Sequence, residues 1–597
     1  MNTKFFKDEL EQALSQLQIL QHKKTYNGMY RLICAAILLF LIYQYAYPAD
    51  WYLLLLIPFL VLFSYLVRRD MSLNRRISYW SSRRDICERE IKISQYDISS
   101  FVGGKRHEEA EHSYSVDLDI FGHKSIFQYI NRTTTPGGEK WLAKRLKNPF
   151  TDITKIRARQ ESIRIMMNKP LWLLNFCTLG NLVEYKTTEE LQIKQFLNEP
   201  IPYGKKRSIV LLVLFFPFVQ FTLLLLTALG ILPYSVIAVT IGAALTFSLS
   251  NNKKISAIQE VISSKSTLLA RYSTLFKVME DINVNSDELL QMQKGLFTDN
   301  TSASYVIGRL SKMLDRLDFR HNIIVGLTLN ALFLWDFRQL IAIEKWRSKY
   351  QSVIPKWMDL LHQTDAMVSF SLFAFSNKER VCFPEVVDNG PVLKAKSLKH
   401  PLIDDKQCVG NGIDIEQIPS FLVVTGANMA GKSTYLRTVG INFVFANIGI
   451  PVFAESFTFT PTNLFTSLRT NDSLTQNESY FFAELKRLKI IIDRLNKGER
   501  MFIILDEILK GTNSKDKQFG SISLVKQLLR HSCVGIIATH DLILGELATE
   551  FPDQVRNFCF EADIKDDNLS FSYEIQEGIA HNMNACFLMK KMGIIVE

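Results

Sequence analysis

Cysteine is scarce and scattered. The eight cysteines, at 34, 87, 177, 382, 408, 533, 559 and 586 of 597 residues, never form a C-x-x-C pair. That spacing argues against a zinc site or a disulfide framework and fits a reducing compartment. No cleavable signal peptide is visible, because the first apolar run starts near Leu32, behind a polar amphipathic stretch. Charge is missing altogether from four long apolar runs, and the turns between them hold no Lys or Arg.

Those runs organise the first half of the chain. Leu32–Tyr47 and Trp51–Val67 are separated by Pro48-Ala49-Asp50; Ser208–Leu226 and Ile231–Ser250 are joined through Gly230 and Pro233. Charge-free runs of nearly 20 residues, edged by Tyr and Trp, predict two transmembrane helical hairpins. Lys23, Lys24 and Arg31 precede the first hairpin and Arg68 and Arg69 follow it. Lys205, Lys206 and Arg207 precede the second, and Lys253 and Lys254 follow it. Positive flanks face the cytosol, so the expectation is a multi-pass protein of the cell (inner) membrane with a cytoplasmic N-terminus, core and C-terminal domain. The formal charge of +10 then reads first as membrane flanks, with a DNA-binding stripe as the competing reading.

The resulting domain plan is an amphipathic helix at 1–28, a transmembrane hairpin at 29–67, a cytosolic linker at 68–119, a first core segment at 120–207, a second hairpin at 208–250, helical core and levers at 251–384, and an α/β domain at 385–597. The first helix suits a cytosolic partner helix or a surface-lying anchor. Thr135-Pro136-Gly137-Gly138 reads as a turn, and the short apolar stretch Ile323–Trp335 as a packed helix.

The chemistry lies in the α/β domain. Gly426, Ala427, Asn428, Met429, Ala430, Gly431, Lys432 and Ser433 form a phosphate-binding loop, between the apolar run Phe421–Thr425 and the helical start Thr434–Arg437. Strand, glycine loop and helix is the context that makes this pattern a nucleotide site, since loop N–H groups and the helix N-terminus face the phosphates. Lys432 is expected to reach the β- and γ-phosphates of ATP, and Ser433 to hold Mg²⁺. Met501–Leu505 carries Asp506 and Glu507 to a strand end, where Asp506 suits Mg²⁺ and Glu507 suits polarising an attacking water; the plain alternative is a solvated strand end. Val534–Thr539 ends at His540, which suits a γ-phosphate contact, although a lone histidine is also a common structural residue.

These motifs resemble those of the MutS family of DNA mismatch-repair ATPases. The loop with its Asn428-Met429, Asp506-Glu507 followed by Gly511-Thr512, the segment Ser479–Leu485, His400-Pro401, and Phe121-Gly122-His123 with Asn131-Arg132-Thr133 and Thr135-Pro136 carry the likeness. The resemblance implies a dimeric P-loop ATPase of the ABC superfamily, using ATP and Mg²⁺ and acting on DNA. It further implies that Ser479 contacts the γ-phosphate bound by the partner protomer, that Asn428 organises phosphates and water, and that the helices of 255–375 act as levers. The sequence departs from the pattern in three places: no Phe-x-Glu mismatch wedge stands before residue 120, membrane hairpins interrupt the core, and Asn513 replaces the usual serine. Two further functions stay open: an ATP-driven membrane remodelling or transport machine without DNA, and a slow nucleotide-gated scaffold. Neither a charged substrate path in the spans nor a Leu-Ser-Gly-Gly-Gln signature supports transport.

Overall fold

A computed structural model describes residues 2–45, 52–182, 188–199, 201, 203, 206–263, 266–388, 390, 392–427, 429–468, 480–510, 512–531, 533–565 and 568–580. Two helices of 43 residues open it, α1 (Thr3–Tyr45) and α2 (Tyr52–Ser94). They run antiparallel: Arg83 pairs with Glu9 at 2.6 Å, Asn27 donates to the Leu66 carbonyl at 3.1 Å, and the Cys34 thiol lies 3.5 Å from the Phe59 carbonyl. At 1.5 Å per residue each helix is about 65 Å long, twice a hydrocarbon core of about 30 Å. The amphipathic segment and the apolar run that follows it are therefore one rod, and the sequence boundaries at 28/29 and 67/68 fall inside helices. Phe6, Ala13, Leu17 and Leu20 are buried, so residues 3–22 form a packed helix. The Pro48-Ala49-Asp50 turn and Lys205 lie outside the described residues.

The second apolar pair is α4 (Arg207–Ala228) and α5 (Tyr234–Ser250), with Gly230 at φ 74° in the turn. Among the described residues, α1 and α4 are long and apolar enough to cross a membrane by length and composition; α5 is shorter. The helical core lies around α3 (Pro136–Lys147), α6 (Ala303–Leu317), α7 (Ile323–Phe333), α8 (Trp335–Tyr350) and α9 (Ile354–Ser376). Every residue of α9 from Thr364 to Ser376 is buried, so this helix is the axle of the molecule.

Two sequence expectations are corrected here. Thr135-Pro136-Gly137-Gly138 is not a turn: it is the N-cap and first turn of α3. Thr135 Oγ1 accepts the Gly138 N–H at 2.9 Å, and proline stands where a helix has no use for its N–H. The glycines allow close approach to α9, since a Cβ on Gly138 would lie 2.2 Å from Asp365 Oδ2 and one on Gly137 2.2 Å from the His362 ring. Asp365 in turn accepts from the Thr134 N–H (3.0 Å), the Thr135 N–H (2.8 Å) and the Thr135 hydroxyl (2.7 Å). The second correction concerns the stretch at 323–335. It is not packed on all sides, because α7 leaves Ile323 and Ile324 more than 70% exposed, and α7 and α8 meet at a 77° bend.

The C-terminal α/β domain starts just beyond α9. Its strands are β1 (Glu385–Val386), β2 (Leu393–Leu398), β3 (Asn411–Ile415), β4 (Ser420–Gly426), β5 (Ser456–Phe459), β6 (Asn463–Ser467), β7 (Met501–Asp506), β8 (Cys533–Ala538), β9 (Val555–Lys565) and β10 (Asn568–Glu577). The main sheet has the order β10-β9-β4-β8-β7-β6, parallel except for the β9–β10 pair. A smaller sheet has the order β1-β5-β2-β3. Buried on both faces, β4, β7 and β8 read as continuous apolar runs, as central parallel strands do. Helices α10 (Lys432–Ile448), α11 (Tyr480–Asn496) and α12 (Ser514–Leu529) accompany the main sheet.

One buried ion pair fastens the rod to the rest. Glu90, near the end of α2, accepts Arg132 Nε at 2.9 Å, Arg132 Nη2 at 3.0 Å and the Ser376 hydroxyl at 2.9 Å, with both charged side chains at most 2% exposed. The first residues of α1 reach the same place, where the Asn2 N–H donates to the Ser376 carbonyl and Phe5 packs edge-on against Phe375. Removing one partner strands a buried charge, so Arg132→Met is expected to cost about 3–5 kcal/mol of stability. The double variant Arg132→Met/Glu90→Gln should recover most of that loss in denaturant unfolding; equal losses in single and double variants would contradict the pairing.

Candidate functional site

The site is made by strand register. Ala538 on β8 pairs with Val424 on β4 and with Asp506 on β7, so the three strands end at one edge. Ligands of open α/β sheets bind beyond that carboxyl edge. From β4 the chain turns through a glycine loop, with Gly426 at φ 142°, Met429 at φ 74° and Gly431 at φ 108° as the N-cap of α10. A Cβ on Gly426 would meet the Phe560 carbonyl at 2.6 Å, so the loop leaves β4 only through glycine.

Lys432 is 5% exposed and donates to the carbonyls of Gly426 and, at 3.0 Å, Ala427. Burial lowers its pKa. The Ser433 hydroxyl donates to Asp506 Oδ2 at 2.7 Å. Burial raises the Asp506 pKa, against the opposing pull of that hydrogen bond and of Lys510. Glu507 Oε1 lies 3.2 Å from His540 Nδ1 and Oε2 lies 3.0 Å from Lys510 Nζ. For Glu507 burial pushes the pKa upward, but the Lys510 hydrogen bond and charge, with His540, outweigh it and leave the carboxyl below its ordinary value. Gly426, Ala427, Met429, Ala430, Gly431, Lys432, Ser433 and Thr434 thus stand in one loop and helix start beside Asp506, Glu507 and His540. Asn428 and Ser479, and with them Gly511, lie outside the described residues.

Beside the loop is a cavity of about 520 Å³. Its polar end holds Lys432, Ser433, Asp506 and Glu507; its apolar walls include Ile403, Tyr435, Phe560 and Tyr573. The His400 ring lines it too, accepting the Leu402 N–H at 3.2 Å, with its pKa lowered to about 4 by burial and the nearby Arg437. The wall residues escape sequence reading because they come from four separated segments. For Tyr573 the only local signal is its place in an edge strand, where it takes φ 56°.

Glu484 is a further residue whose role only the fold reveals. From α11 its carboxylate accepts the Leu509 N–H at 2.5 Å and the Lys510 N–H at 3.2 Å, and it is 3% exposed. It clamps a turn in which Glu507 (φ 48°) and Leu509 (φ 61°) hold left-handed backbone, costly for residues with a Cβ.

Residues 422–593 match the model of MutS domain V, and residues 112–184 match that of MutS domain III. Both matched segments are domains of the MutS family. The domain III match begins inside the segment assigned above to a linker at 68–119. The DNA mismatch repair protein MSH4 of Arabidopsis thaliana is 33% identical over 228 residues, 37% of this chain and 28% of that protein. The DNA mismatch repair protein MutS of Thermotoga maritima is 23% identical over 512 residues, 79% of this chain and 61% of its own length. The human MutS protein homolog 4 is 28% identical over 240 residues, 38% of this chain and 25% of that protein. In each case the match spans less than two thirds of the relative.

The Glu484 clamp has a direct test. Glu484→Ala frees two backbone N–H groups and is expected to lose about 1–3 kcal/mol, with faster hydrogen exchange at Leu509 and Lys510. Unchanged exchange at those two amides would contradict the clamp.

Proposed function

We propose that this chain is a membrane-anchored, MutS-like ATPase that binds ATP with Mg²⁺, closes as a homodimer through its α/β domains, and couples closure to DNA engaged by the helical levers. The observation that carries it is the meeting of Ser433 and Asp506 at 2.7 Å, with Lys432 in the loop and Glu507 beside them. The donor set fits magnesium: a hydroxyl and a carboxylate in contact, with phosphate oxygens completing an oxygen shell. No cluster of three or more His, Cys, Asp or Glu occurs among the described residues, so a transition-metal centre has no comparable support. Magnesium, when bound, neutralises phosphate charge.

The chain's own groups have separable parts in this reading. Lys432 exchanges two loop carbonyls for phosphate oxygens. Glu507, kept ionised by Lys510 and His540, accepts a hydrogen bond from the attacking water and orients it. His540, adjoining Glu507, is placed for the γ-phosphate. The apolar walls at Tyr435, Phe560 and Tyr573 suit the flat face of a nucleobase. Asn428 and, from the partner protomer, Ser479 complete the phosphate contacts by family likeness. The hairpins of α1/α2 and α4/α5 lie in the inner membrane, with the α/β domain in the cytoplasm.

Phosphate release by the full chain in lipid nanodiscs tests the reading. Glu507→Gln is expected to lower turnover about a hundredfold or more while keeping ATP binding; unchanged turnover removes Glu507 from the mechanism. DNA retention by the same sample should fall steeply with salt. Hydrolysis without DNA retention at low salt would favour the membrane machine that works without DNA.

A further inference from the structure

The apolar face of α7 is not accounted for by the reading above. Ile323 is 75% exposed, Ile324 78%, Val325 39% and Leu327 42%, so the N-terminal half of α7 is open, while Gly326 and, toward the C-terminal end, Asn330 and Ala331 are buried. The polar residues on the open face are turned inward on the helix. Asn322 Oδ1 accepts the Val325 N–H at 3.2 Å, and the Thr328 hydroxyl donates to the Ile324 carbonyl at 2.8 Å. At its other end Asn330 caps the bend by accepting the Asp336 N–H at 3.1 Å.

The buried side of α7 lies on the second apolar hairpin. α7 packs on both α4 and α5, and the Phe333 and Phe221 rings are 5.9 Å apart. A polar tie sits inside this otherwise apolar joint: Gln220, 2% exposed, donates to the Ala331 carbonyl at 3.1 Å and accepts the Thr240 hydroxyl at 2.9 Å. An amide that deep in a charge-free apolar run is costly in hydrocarbon unless paired, and here it satisfies a carbonyl in the last turn of α7. The hairpin on which α7 packs also has an apolar exterior. On α4, Leu214, Phe215, Phe218 and Phe221 are each more than half exposed.

By itself α7 is too short to span. Eleven residues make about 16 Å, half of a hydrocarbon core of about 30 Å. Both flanks are charged, and Arg320 before the helix pairs with Asp336 after it at 3.5 Å, so the segment leaves from the side it entered. A Cβ on Gly326 would meet Arg320 Cα at 3.0 Å, which shows the preceding turn folded back along α7.

The geometry points to α7 as a third membrane-contacting element: a half-length helix whose Ile323, Ile324 and Leu327 face enters the acyl chains beside the second hairpin without crossing. Its ligand is the bilayer itself. The inference rests on the hairpin reading, and through α8 it places the lever region of the core against the membrane surface.

The test uses the full chain in nanodiscs of phosphatidylethanolamine and phosphatidylglycerol. An environment-sensitive fluorophore is placed on Ile324→Cys or, separately, on Phe218→Cys of α4, and the signal of the identically treated unsubstituted chain is subtracted. Several-fold stronger quenching by nitroxide on the lipid tails than by aqueous iodide is expected at both positions. Lipid quenching at 218 with iodide quenching at 324 would overturn the α7 proposal and leave the hairpin in place. Iodide quenching at both would overturn the hairpin reading and the proposal with it. A disulfide-linked dimer through Ile324→Cys, with no lipid quenching, would assign the face to a second copy and overturn the proposal as well.

Discussion

Everything at the candidate site hangs on the pairing of three buried parallel strands that end together. β4 and β8 carry no charge and β7 only its last residue, Asp506, so the register that buries them also fixes where the chain turns polar. A one-residue slip would turn every side chain of a strand to the other face. Given that register, the glycine loop, Asp506 and His540 meet without further instruction. The Ser433–Asp506 hydrogen bond is then a consequence of the sheet. Glu507 needs more, because its left-handed backbone is held by the Glu484 clamp and its charge by Lys510.

The helical half is organised by one buried helix. α9 receives the Asp365 contacts from the start of α3 and the Glu90–Arg132 pair through Ser376, then hands the chain to the α/β domain. A second joint closes the loop: Asp117 accepts the Thr466 hydroxyl at 2.6 Å and pairs with Arg487 of α11 at 3.1 Å. The rod of α1 and α2 and the core therefore meet at Ser376, and the core meets the α/β domain again at Asp117. A change at the strand edge that shifts α11 would be felt at Asp117, which gives the proposed nucleotide coupling a physical route to the helical half.

Local patterns were legible where the chain reports them by itself. The loop from Gly426 to Ser433, the strand ending in Asp506 and Glu507, and the four charge-free runs are each readable from neighbours in sequence. What escaped reading depends on partners far away. Thr135-Pro136-Gly137-Gly138 carries turn residues, and only contact with Asp365 and His362 shows why a helix wants them. The boundaries at 28 and 67 followed a change of composition, yet helix continuity ignores composition when a partner helix covers both halves. Ile323–Trp335 holds no charge and only Thr328 and Asn330 as polar residues, a pattern that fits a packed helix and a lipid-facing one equally well. Tyr573, Phe560 and Ile403 reach one cavity from separate segments.

The most direct measurement of the central claim is ATP binding to the full chain in nanodiscs by titration calorimetry, with and without Mg²⁺, for the unsubstituted chain and for Lys432→Met and Asp506→Asn. The account expects saturable binding that Lys432→Met weakens at least tenfold in either condition, and a magnesium enhancement that Asp506→Asn removes. Equal affinity in all three chains, with no magnesium effect, would contradict a nucleotide site at this strand edge.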